Sequence, residues 1–219
     1  LAISILYSSL PDINDEGDQS NTATTSRSSI FQFPHLLLGV LSLFLYVGVE
    51  VMAGDTIISY GKSLGIELST ARFFTQFTLA FMLLGYIIGI FTIPKYLSQH
   101  KALLICSVLG VVFTILTVVT NGVVSVGFLA ALGLANSLMW PAIFHLSIDG
   151  LGKFTKTGSA MLVMAIAGGA ILPLIYGWLS EHDGWNSRTS YSLMIPCYLF
   201  IAYFAISGYK AGKPKAVPA

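Results

Sequence analysis

Six long apolar runs constrain this chain more than any other feature. They fall roughly at residues 35–60, 71–95, 101–120, 123–148, 157–180 and 190–209. Each is long enough for a helix to cross a hydrocarbon core of about 30 Å, which takes about 20 residues. A membrane barrel would alternate apolar and polar residues in segments of about ten, and these runs do not alternate. Only 10% of the 219 residues are charged and 55% are apolar, whereas a soluble domain carries about 25% charged residues. The expected fold is an all-α membrane protein of six transmembrane helices, with the lipid bilayer as its solvent.

The polar segments divide the chain. Residues 1–11, "LAISILYSSLP", read as the end of a preceding transmembrane helix stopped at Pro11. Residues 12–33 are acidic and rich in Ser and Thr, the composition of a linker outside the membrane. Residues 34–210 hold the six-helix unit, and 211–219 form a tail. One side of the expected bundle collects Arg27, Lys95, Lys101, Lys153, Lys156, Lys210, Lys213 and Lys215. The other has only Lys62, Arg72 and Arg188. Positive charge accumulates on the cytoplasmic side, so the linker and the tail are expected in the cytoplasm.

Within the spans, the rare polar residues carry the functional argument. Glu50 lies near the middle of the first span, in "YVGVEVMAGDTIISYG". A carboxylate at that depth is costly, and such residues face a bundle interior or a wet cavity and mark a route for substrate or protons. Asp55 follows five residues later, about 140° around the helix, so the two acids cannot act as one catalytic pair. Asp55 is expected at a cavity edge or against a neighbouring helix. Gln76 in the second span suits either a substrate hydroxyl or a bridge between helices. In the fourth span Asn136 and Trp140 stand one turn apart. An amide beside an indole suits a sugar, the amide bonding hydroxyls and the ring covering the apolar face. A helix–helix hydrogen bond and an aromatic wedge would use the same residues. His145 lies near the cytoplasmic end of the fourth span, where a lone His also serves as a structural hydrogen-bonder; Glu50 and His145 are the candidates for a proton-linked step.

The third and sixth spans hold almost no polar residues and are expected at the periphery. The first, second, fourth and fifth carry the polar burden, as an internal three-plus-three repeat would give. Gly85 and Gly89 make a small-xxx-small pair that lets helices approach closely. Pro141, and the run from Gly168 to Pro173, are expected bends.

Other classes of function find no support in the chain. It contains no phosphate-binding G-x-x-x-x-G-K-[ST] loop, no H-E-x-x-H, no G-x-S-x-G and no Cys-x-x-Cys. Nothing suggests an enzyme, a metal centre or a cofactor. No basic cluster interleaved with aromatics suggests a nucleic-acid partner.

Three stretches carry a family resemblance: "YVGVEVMAGDTIISYG", "GYIIGIFTIPKYLSQHKAL" and "GLANSLMWPAIFHLSIDGLGKFTKTGSAMLVMAIAGGAILPLIYG". They resemble the C-terminal half of the fucose/glucose/galactose symporter family, within the major facilitator superfamily. The resemblance implies a twelve-helix fold of two six-helix halves around a sugar cavity, in a bacterial inner membrane. It implies symport of a hexose or deoxyhexose with a proton or sodium ion, and it implies an N-terminal six-helix half as partner. By the family pattern the first, second, fourth and fifth spans line the cavity. The loop "PKYLSQHK" departs from the superfamily's G-x-x-x-D-R-x-G-R-R form, so no gating ion pair is expected there. The alternative from another class is a membrane sugar sensor or structural subunit that does not transport.

Overall fold

A computed structural model describes residues 29–93 and 95–213. The readings of residues 1–28 and of the last residues of the tail lie outside these. Six helical segments are long and apolar enough to cross a membrane: Pro34–Ser63, Leu68–Thr92, Gln99–Val119, Gly122–Ile148, Gly152–Ser180 and Thr189–Ile206. They coincide with the six expected runs, within a few residues at each end.

The first span is one unbroken helix, α1 (Pro34–Ser63). It begins with proline at the position where a missing N–H costs nothing. It is the hub of the bundle and packs against the second, fourth, fifth and sixth spans. The second span comprises a single turn, α2 (Leu68–Ala71), and the helix α3 (Phe74–Thr92). The third is α4 (Gln99–Val119).

The fourth span is broken. Helix α5 (Gly122–Asn136) stops, and α6 begins at Met139 and runs to Ile148. Pro141 explains the position of the break. It has no N–H to give to the carbonyl four residues back, Ser137, and its ring collides with that carbonyl. The helix therefore restarts with Pro141 in its first turn. The fifth span is also interrupted. Helix α7 (Thr155–Met164) passes through a 3₁₀ turn at Ala165–Ala167 into α8 (Gly168–Ser180). At the seam, Gly168 lies against the backbone of α1, where an added Cβ would sit 1.9 Å from the Phe44 carbonyl oxygen. Close approach, rather than turn geometry, requires glycine there. The sixth span runs from a 3₁₀ turn (Thr189–Leu193) into α9 (Met194–Ile206).

The small-xxx-small pair does bring helices together. Gly85 lies over Ser137 and Gly89 over Leu138, so α3 rests directly on the break in the fourth span. The third and sixth spans pack against each other, and α9 also packs on α1. Within this half the most open spans are the second and fifth, 22% and 28% buried, against 39% and 44% for the third and sixth. A lack of polar residues shows which helices can face lipid, but it does not show which faces lack a neighbour in this half.

At the end of the bundle away from Pro34, hydroxyls tie the spans together. Tyr60 bonds Ser125 at 2.6 Å, and Ser125 donates to the Thr117 carbonyl at 2.6 Å. Thr56 and Tyr191 share a hydrogen bond of 2.7 Å, and Tyr176 donates to the Ser187 carbonyl at 3.0 Å. Arg188 reaches the Thr120 carbonyl at 3.0 Å.

Candidate functional site

Glu50 sits roughly halfway along α1 and is half-buried. It has no ion-pair partner among the described residues. Its neighbours are aromatic. Tyr46, one turn earlier and almost wholly buried, is a polar partner of its carboxyl. Tyr86 of α3 and Tyr198 of α9 lie within its electrostatic reach. Trp140, in the first turn of α6, packs edge-on against Tyr46 with ring centroids 6.3 Å apart. It is only partly buried. Three spans thus bring Glu50, Tyr46, Tyr86 and Trp140 together. A carboxylate accepts hydrogen bonds from hydroxyls, phenols donate or accept them, and an indole face covers C–H groups. The set suits a small polyhydroxylated molecule.

The other sequence candidates lie elsewhere. Asn136 is fully buried behind this group, and its Oδ1 accepts the Tyr198 hydroxyl at 2.9 Å. Two turn residues, Ser137 and Leu138, stand between Asn136 and Trp140, and the two side chains take different partners, Tyr198 of the sixth span and Tyr46 of the first. Asp55 is exposed, on a different side of α1 from Glu50. Gln76 is exposed on α3, beside Thr75, which bonds the Gly54 carbonyl at 2.8 Å. His145 is exposed in the last turn of α6.

Sequence reasoning missed Tyr86 and Tyr198. Among ten tyrosines, most of which mark helix ends or core, neither stands out by position. It also missed His35, which is buried at the start of α1 and donates from Nε2 to the Asp149 carbonyl at 3.1 Å. Asp149 lies in the loop between the fourth and fifth spans. There the Lys213 ammonium, 2.7 Å away, holds its carboxyl below the usual carboxylate range, against a smaller opposing effect of burial. Among the described residues, no cluster of His, Cys, Asp or Glu could hold a metal ion.

The architecture matches half of a known transporter fold. The chain superposes on a major facilitator superfamily transporter, FucP, solved in the outward conformation, with a TM-score of 0.78 and 27% identity. The match covers 93% of this chain and 50% of that one. The fold is therefore the six-helix half of a major facilitator transporter. In sequence the chain is similar to proteins named as glucose/galactose transporters and L-fucose-proton symporters. It is 32% identical over 214 residues to a glucose/galactose transporter of Brucella abortus, covering 96% of this chain and 51% of the relative. It is 26% identical over 210 residues to the L-fucose-proton symporter of Escherichia coli, covering 94% and 48%. The chain thus spans about half the length of the curated relatives it matches. No protein-family model matches it.

Proposed function

We propose that this chain is the C-terminal half of a cation-coupled sugar symporter that works by alternating access. The observation that carries the reading is Glu50: one carboxylate with no ion-pair partner among the described residues, half-buried midway along a membrane-length helix, with Tyr46, Tyr86 and Trp140 around it. The homologues named as glucose/galactose transporter and L-fucose-proton symporter support a hexose or deoxyhexose as substrate. In this reading Glu50 accepts hydrogen bonds from sugar hydroxyls, and Trp140 covers an apolar face of the ring. A proton or sodium ion is the coupling ion, and Glu50 is the group in this half placed to respond to it. The N-terminal six-helix half supplies the opposite wall of the cavity, and the two halves rock about the bound sugar. The linker and tail lie in the cytoplasm, as the charge bias implies.

The test is uptake of labelled fucose, glucose and galactose by cells carrying the complete gene, with and without an uncoupler. Accumulation that the uncoupler abolishes is the expected result. Glu50→Gln should lower uptake about ten- to a hundredfold, the loss of a charged hydrogen bond. Glu67→Gln, at an exposed position ahead of α2, should leave uptake within about twofold. Equal effects would remove Glu50 from the site. Sugar binding without accumulation would turn the reading toward a sensor.

A further inference from the structure

The fourth span is two helices whose partners only partly overlap. Both pack on α1 and α4, and α5 packs extensively on α3 as well. Pro141 prevents a continuous hydrogen-bond ladder from fixing the angle between them. Trp140 lies immediately past the break, so the rotation of α6 relative to α5 decides where the indole stands against Tyr46 and Glu50.

Two of the contacts at the break differ in kind. From one side, Gly85 and Gly89 of α3 cover Ser137 and Leu138. These are packing contacts and tolerate rotation. From the other side, the Tyr198 hydroxyl donates to Asn136 Oδ1 at 2.9 Å. This bond is directional, and both residues are fully buried. Tyr198 is itself fixed, because its ring lies on Gly110, where an added Cβ would be 2.5 Å from a ring atom. The pair thus ties the last residue of α5 to the sixth span at the point where the span loses its own ladder. Asn136 also shows an imbalance. Its Nδ2 is buried and has no acceptor among the described residues. Buried polar groups are normally paired, and an amide placed only to stabilise the bundle would have both ends satisfied. A spare donor at the break suits a bond that is remade as α6 turns.

We propose that Asn136 and Tyr198 are positioning residues: their hydrogen bond sets the phase of the broken fourth span and so places Trp140 in the sugar site. Neither needs to touch the sugar. The inference rests on the symporter reading for its transport readout, but not for its spectroscopic one.

The experiment uses the protein from its complete gene, with every tryptophan except Trp140 replaced by phenylalanine. Tyr198→Phe keeps the ring on Gly110 and removes the bond, and Asn136→Leu removes the acceptor at similar volume. Acrylamide quenching of Trp140 is measured without sugar, and KM and kcat are measured by uptake. Each variant should change quenching by about twofold and raise KM about tenfold, with kcat within about twofold. The double variant should be no worse than the worse single, as for two groups acting through one bond. Quenching unchanged in both single variants overturns the proposal, as does a double variant whose losses multiply. If the parent protein moves no sugar, the symporter reading fails. The quenching comparison then still decides whether the pair places Trp140.

Discussion

Glu50 shows how a single residue can mark a site. A carboxylate among apolar helices is retained only against a solvation cost of several kcal/mol, so its partners identify its role. Here they are phenols and an indole rather than a lysine or arginine. Tyr46→Phe removes one phenol hydroxyl while keeping the ring against Trp140. It should weaken sugar binding about tenfold or more, as for the loss of a hydrogen bond to a carboxylate, about 1.5–3 kcal/mol. Trp140→Ala should cost more than Trp140→Phe, because the ring supplies area as well as edge contact. Binding of labelled sugar to purified protein distinguishes these. Glu50 and Trp140 were legible in the sequence because each interrupts a run of aliphatic residues. Tyr86 was not, because a tyrosine in a membrane helix has the same local appearance at an interface, in a core or beside a substrate. Asn136 was legible as a polar outlier, but its direction was not. Its partner is Tyr198, 62 residues away in sequence, a contact that only the three-dimensional path reveals.

At the scale of elements, the spans were readable and the seams only partly so. Hydrophobic length fixed six helices, since each must bury its own backbone polar groups to cross lipid. Proline marked the break in the fourth span within a turn. In the fifth span the interruption falls at Ala165–Ala167, ahead of Gly168 and well before Pro173, so the glycines located it better than the proline did. Two glycines of α8 should respond differently to the same substitution. Gly168→Ala would drive a Cβ into the Phe44 backbone, which cannot rotate away, and should cost at least about 3 kcal/mol or prevent folding. At Gly177 an added methyl would meet nothing within 4 Å. Gly177→Ala should be neutral or stabilise α8 by up to about 1 kcal/mol. Thermal unfolding of the purified variants, with expression level as a second readout, separates the two.

At the scale of the whole molecule, the two ends of the bundle are held differently. At the Pro34 end, His35 of α1 holds the backbone of the loop after α6, and Lys213 holds that loop's Asp149 side chain. Because Lys213 lowers the carboxyl's value in the folded state, the pair stabilises the fold above the unfolded carboxylate value. That contribution is lost as pH falls through the folded value. The carboxylate is largely exposed, so Lys213→Met should cost less than about 1 kcal/mol at about pH 7, and less still as pH falls through the folded carboxyl's value. Melting curves at neutral and at acid pH test the sign. The opposite end depends much less on charge. There, chains of short hydrogen bonds join α1, α4, α5 and the Thr189–Leu193 turn, and Tyr191 packs between Tyr176 and Tyr60, with ring centroids 4.7 and 5.4 Å apart. That end behaves like the riveted end of a fan. Bending within this half is confined to the free ends of the blades, so the breaks in the fourth and fifth spans become flexures rather than flaws. Amide exchange should then be slowest around Tyr60 and Tyr191 and should quicken toward Ile148 and Met164.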